Sequence, residues 1–306
     1  MWNNFLTVSQ QVLILFVLVL LGYILGKRGI INEKGGKVCS DLALLLATPC
    51  VIISSFQRPF DVTTLQGLLI ALAVAFGLHV VAIAVAHLIY RKDDSTTRVY
   101  RTSAVLSNAG FMGLPLQQAV LGSQGVLYGT AYVVAMTMAL WSYGLILMDK
   151  DGGRVSWRKI CISPGTVGLA IGLLFVCRVS LPELILVPVQ HVAALNTPLP
   201  MLFAGYYLSR VDMKAAFGRR ENYVALAVRL LLVPVVGIGL AYLCGVRGMM
   251  LTSMAIAVSA PTAIAVAMFA DRYKQDAETA VNLVAISTVL SAVTMPLLVA
   301  TVQLIA

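Results

Sequence analysis

Ten apolar stretches, at residues 7–26, 38–56, 65–90, 102–121, 125–148, 164–180, 188–208, 223–243, 249–270 and 279–305, follow one another with only short loops between them. Each is close to the length needed to cross about 30 Å of hydrocarbon, the sixth being the shortest. A chain that is 59% hydrophobic and 11% charged, with a mean hydropathy of +0.91, cannot supply the polar surface of a water-soluble fold. The chain therefore reads as an all-α polytopic membrane protein with ten transmembrane helices. No stretch of domain size is left outside the bilayer, so a catalytic or nucleic-acid-binding domain is not expected.

The net charge of +9 is distributed in a way that orients these spans. Lys27, Arg28, Lys34 and Lys37 follow span one; Arg91, Lys92, Arg98 and Arg101 follow span three; Lys150, Arg154, Arg158 and Lys159 follow span five. Arg210, Lys214, Arg219 and Arg220 follow span seven, and Arg272 and Lys274 follow span nine. These are 18 of the 22 basic residues, against Arg58, Arg178 and Arg247 on the other side and Arg229 inside a span. By the positive-inside rule the odd loops are cytoplasmic and both termini lie outside the cell membrane. Met1 to Leu6 carry no basic residue, so the first span is expected to be an anchor and not a cleaved signal peptide.

Five spans per half make the second half inverted relative to the first: residues 1–148 form one five-helix repeat, 149–163 a cytoplasmic linker and 164–306 the inverted repeat. Thr48-Pro49 and Thr197-Pro198 lie 149 residues apart, and Ser107 and Ser259 lie 152 apart, both near half the chain. Spans four and nine are each broken. The first is interrupted at Ser107-Asn108-Ala109-Gly110-Phe111-Met112-Gly113-Leu114-Pro115, the second at Ser259-Ala260-Pro261-Thr262. Lipid cannot satisfy the N–H and C=O groups such breaks release, so irregular backbone at this depth lines a cavity or is buried in protein. Paired broken helices in corresponding places of two halves mark the substrate site of secondary transporters. A single proline such as Pro234 or Pro296 is read as an ordinary kink.

Ser107-Asn108, Met112-Gly113 and Pro115-Leu116 resemble the first crossover helix of the auxin efflux carrier family, which includes bacterial organic-acid permeases. Trp157-Arg158-Lys159 with Ser163-Pro164 resembles the entry to its sixth span, and Ser259-Ala260-Pro261 through Phe269-Ala270 its second crossover. The resemblance covers essentially the whole chain and implies a scaffold of spans one, two, six and seven, with spans three to five and eight to ten as a moving transport domain. Plant auxin carriers have Asn-Pro-Asn where this chain has Ser163-Pro164-Gly165, and most have a long hydrophilic loop where it has only about Asp149 to Ile162. These departures point away from auxin and leave a small mono- or dicarboxylate as the expected substrate.

The residues themselves favour an anion. Half-helices that begin after Pro115 and Pro261 point two N-termini at one region, each with free N–H groups and about half a positive charge. Both prolines suit a first helical turn, Ser259 suits an N-cap, and Asn108 offers two donors and an acceptor. The expected substrate-binding residues are Ser107, Asn108, Gly110, Gly113, Pro115, Ser259, Pro261 and Thr262. Asn196 and Thr197 either join them or pack the scaffold against the site.

Ionisable groups inside spans are costly and are functional candidates. Arg229 lies about 9 Å along the helix from Tyr223; it is expected to snorkel to the cytoplasmic face, or else to attract anions in the cytoplasmic vestibule. His79 lies deep in span three, as a coupling group that titrates near neutral pH or as a hydrogen-bonded structural histidine. Asp41 is expected to pair with Lys37. Cys39, Cys50, Cys161, Cys177 and Cys244 are scattered singly, and no metal site, cofactor, phosphate-binding loop or hydrolase motif is legible. The expected partners are the organic anion, the bilayer and a second copy in a homodimer, with no nucleic acid. Two other readings are a sodium-coupled symporter of a larger amphipathic anion, as in the bile-acid transporter family, and a membrane sensor or scaffold.

Overall fold

The computed structural model describes residues 2–57, 62–149, 157–162, 166–167, 170–171, 181–211 and 220–306. Most of span six, the linker entry at Ser163-Pro164-Gly165, and the basic residues Arg58, Lys150, Arg154, Arg178, Lys214 and Arg219 lie outside these. Among the described residues every regular element is a helix. Six segments are long and apolar enough to cross a membrane unaided: Ser9–Lys27, Val62–Ile89, Ala109–Met148, Glu183–Arg210, Arg220–Leu243 and Ala277–Ile305. Large apolar side chains such as Leu13, Val17, Leu184 and Val293 stand exposed on their outer faces. In a bilayer these face lipid, not water.

The segment Ala109–Met148 covers most of the two stretches expected as spans four and five. Gly122 turns the chain with φ +67°, a left-handed conformation open to glycine, at the junction expected between spans four and five. Span seven also departs from a continuous helix: Glu183–Ala194 stops, Leu195, Asn196 and Thr197 form a turn, and Pro198–Arg210 restarts. Pro198 occupies the first turn of the second piece, where its missing N–H costs nothing.

Three prolines share a local device. The π-helical turns Ala43–Ala47, Ala109–Gly113 and Val228–Leu232 each end two residues before a proline, at Pro49, Pro115 and Pro234. A proline in a regular α-helix removes a donor and clashes with the carbonyl four residues back. Widening the preceding turn by one residue moves that carbonyl out of the way, and such widened turns concentrate at functional sites. In each case the N–H just before the proline reaches back five residues: Thr48 to Ala43, Leu114 to Ala109 and Val233 to Val228.

Spans one and seven pack backbone against backbone. A Cβ on Gly205 would lie 2.0 Å from the Val19 carbonyl oxygen, and one on Gly22 would lie 2.2 Å from that of Leu202. Small residues that let helix backbones approach are the main way apolar helices associate in lipid, where no hydrophobic effect drives them together. Leu78, Leu106, Tyr132, Val258 and Ile286 of spans three, four, five, nine and ten belong to one continuous buried core that also takes in Val19 of span one and Phe203 of span seven.

Candidate functional site at the crossing of two broken helices

Span four consists of the helix Ser95–Val105, a non-helical stretch at 106–108 that is extended at Leu106, and a helix that restarts at Ala109. Span nine consists of Gly248–Ser259, an extended stretch at 260–263, and Ile264–Arg272. The two stretches lie side by side and antiparallel, bridged at Ser107 and Thr262. The Asn108 N–H donates to the Pro261 carbonyl at 2.7 Å, and the Ala263 N–H donates to the Leu106 carbonyl at 3.0 Å. Each break thus satisfies part of the other's exposed backbone, a requirement wherever water is absent. The Thr262 N–H is taken by Ser287 Oγ of span ten at 3.1 Å.

Three further carbonyls are met by Arg229. This residue does not snorkel to the cytoplasmic face: it is 1% exposed and turned inward on the π turn Val228–Leu232. Nη1 donates to the Ala104 carbonyl at 2.9 Å, Nη2 to Val258 at 2.5 Å and to Ala260 at 2.8 Å, and Nε to Ala260 at 3.2 Å. Ala104, Val258 and Ala260 stand at the C-terminal ends of the two first half-helices, whose last carbonyls have no intrahelical donor. Those ends carry partial negative charge, so a guanidinium with a planar fan of donors fits them. Snorkelling loses because it would leave three buried acceptors bare, at a cost of about 1–3 kcal/mol each.

Other expectations also change in detail. Ser259 ends the Gly248–Ser259 helix and does not cap the next one; its Oγ is buried without a partner among the described residues, as is Thr262 Oγ1. Pro261 lies in the extended stretch, three residues before Ile264, and acts through its carbonyl. Pro115 does occupy an early helical position. Gly113 is buried against Ala257 and Ala109, which makes it a packing residue, whereas a Cβ on Gly110 would meet nothing within 4 Å. Asp41 makes no ion pair with Lys37 among the described residues, because Lys37 points to the exterior, where a solvated charge gains little from pairing.

Two arms reach the crossing from elsewhere. From span seven, Asn196 is 2% exposed and its Nδ2 donates to the Gly110 carbonyl at 3.4 Å. That carbonyl lies five residues before Pro115, which has no N–H to offer it. Asn196 Oδ1 accepts from Thr48 Oγ1 of span two at 2.8 Å, so the two Thr-Pro sites noted in the sequence meet here. Thr197 is half-buried beside Asn196. From span three, His79 is 4% exposed, with Nδ1 at 2.8 Å from the Ala75 carbonyl. A carbonyl only accepts, so Nδ1 carries the proton and Nε2 is a bare acceptor with no partner among the described residues. The ring lies against Tyr132, centroids 4.8 Å apart, and the Tyr132 hydroxyl accepts from Ser107 Oγ at 3.3 Å.

Asn108 completes the set. It is 4% exposed, and its side-chain amide makes no hydrogen bond among the described residues, although its backbone is held at both ends. Tyr132 was not legible as a site residue, although a phenol in mid-span needs a partner for its hydroxyl and could have been flagged on that ground.

A buried crossing of two discontinuous helices, closed by their own backbone and a guanidinium, is the architecture of a membrane transporter. The sequence profile of the family described as membrane transport protein matches residues 7–299. The chain belongs to that family, the auxin efflux carrier family, and is a transporter and not an enzyme. It is 25% identical to an uncharacterized transporter of Methanothermobacter thermautotrophicus over 96% of this chain and 98% of the relative. It is 23% identical to an uncharacterized transporter of Methanocaldococcus jannaschii over 92% of this chain and 94% of the relative.

Proposed function

We propose that the protein carries a small organic anion, a mono- or dicarboxylate, across the cytoplasmic membrane by alternating access, with the substrate held at the crossing. The observation that carries this reading is the charge balance there. The half-charges of two helix C-termini and two N-termini offset one another, leaving Arg229 as about one uncompensated positive charge. No Asp or Glu is buried among the described residues. A net positive site in a low-dielectric interior calls for an anionic guest. Asn108 offers the free amide that orients it, next to the open space at Gly110, with Asn196 and Thr197 on the facing scaffold.

The antiparallel bridge between the breaks supports ten spans arranged as two inverted repeats, with both termini outside. Arg229 ties the backbones of the two breaks together, so the domain that holds the site is expected to move as one body against spans one and seven, releasing the bond from Asn196 of span seven. The test is a melting experiment on purified protein with a panel of carboxylates, amines and sugars. Carboxylates alone are expected to raise the melting temperature. Stabilisation by amines or neutral sugars and not by carboxylates would overturn the anion reading.

His79 is the coupling group in this reading. Its free Nε2 can take a proton, and the charged or titratable groups facing it are Tyr132 of span five and Arg229 of span eight. A second cation beside Arg229 is unfavourable until a carboxylate binds, which makes proton and anion mutually dependent. Uptake into proteoliposomes is therefore expected to rise as the outside is made more acidic, and His79→Gln to flatten that dependence while leaving the protein folded. An unchanged pH profile in His79→Gln would remove the coupling role.

A further inference from the structure

The carbonyls that Arg229 holds have a second chemical reading. Carbonyl oxygens at the unwound ends of half-helices are the ligands with which sodium-coupled carriers hold their cation. Ala104, Val258 and Ala260 are three such oxygens, contributed by both broken spans and converging on one buried centre. A guanidinium fills that centre, reaching all three at 2.5–3.2 Å from span eight. We propose that Arg229 is a tethered cation: it occupies the position an alkali ion would need, so the transporter works without sodium and holds its positive charge at the crossing throughout the cycle.

The chemistry distinguishes this from ordinary packing. A packing arginine is replaceable by an apolar side chain of similar volume, often without loss. A tethered cation is replaceable only by another cation, tethered or free, because the oxygens around it need a charge or donor at their centre. Ser259 and Thr262, next to these carbonyls in sequence, also have hydroxyls that are buried without partners among the described residues. The inference rests on the transporter reading but not on the identity of the substrate, since its test needs no substrate.

The test compares the melting of wild type, Arg229→Ala, Arg229→Met and Arg229→Lys in choline, sodium and guanidinium chlorides, the last at tens of millimolar. Wild type is expected to melt at the same temperature in choline and sodium. Arg229→Ala is expected to melt several degrees lower in choline and to be raised saturably by guanidinium or sodium, as a ligand that binds only the folded state must do. Arg229→Met, which fills the space, is expected to stay low in every salt, and Arg229→Lys to fall between Ala and wild type without sodium dependence. Sodium stabilisation of wild type, or an Arg229→Ala protein indifferent to all three cations, would overturn the proposal. If Arg229→Ala yields no folded protein, the remaining pair decides: Lys folding better than Met supports a required charge, and the two behaving alike refutes it.

Discussion

Gly205→Leu is expected to yield no folded transporter. The first side-chain carbon would sit 2.0 Å from the Val19 carbonyl oxygen, 2.6 Å from the Tyr23 nitrogen and 2.8 Å from the Gly22 Cα, all of them backbone atoms that no rotamer change can move. Spans one and seven must separate to admit it, and the whole face between them loses contact at once. The cost exceeds the roughly 1–3 kcal/mol of a usual overpacked core, because there the neighbours are side chains that can yield. The check is monodispersity by size-exclusion chromatography after detergent extraction, with Gly239→Leu as the control, a site where a Cβ meets nothing within 4 Å. If Gly205→Leu elutes and melts like the control, the close approach of spans one and seven is wrong.

Asn108→Ala is expected to weaken binding of the transported anion at least about tenfold while leaving the melting temperature near that of wild type. Each lost hydrogen bond to a charged group is worth roughly 1.5–3 kcal/mol, and about 1.4 kcal/mol is a factor of ten in affinity. Stability should survive because the amide supports nothing inside the protein, whereas the backbone bonds to Pro261 and Met112 do not depend on the side chain. The measurement is a carboxylate titration of the melting temperature on both proteins, followed by uptake in proteoliposomes. Unchanged affinity would take Asn108 out of the site and leave the helix N-termini and Arg229 as its recognition elements.

The places where the chain breaks could be read in the sequence because helix-disfavouring residues cluster there: Asn108, Gly110, Gly113 and Pro115 exceed what one kink needs. That the two breaks would face one region followed from their matching positions in the two halves; that their backbones pair, at Ser107 and Thr262, did not. The role of Arg229 could not be read in this way. Sequence spacing gives its distance from the cytoplasmic end of span eight, and at that distance reaching the surface or turning inward are both open. What decides is the number of bare carbonyls inside, which exist only once both breaks are formed and adjacent. Pro234 carried a local signal that a kink reading passed over, since the widened turn ahead of it is the turn that points Arg229 inward. Asn196 was placed near the site with its role open, because a hydrogen bond to Gly110 requires knowing which carbonyl Pro115 leaves free.

Pro115 acts on the same contact from the other side. Its contribution to the contact between spans four and seven is an omission: by withholding a donor it leaves the Gly110 oxygen legible to a side chain from another helix. The connection between spans four and seven is therefore addressed to a vacancy in the backbone. It can be severed by supplying an atom as well as by deleting one, since a residue with an N–H at position 115 would answer its own helix and leave Asn196 with nothing to hold.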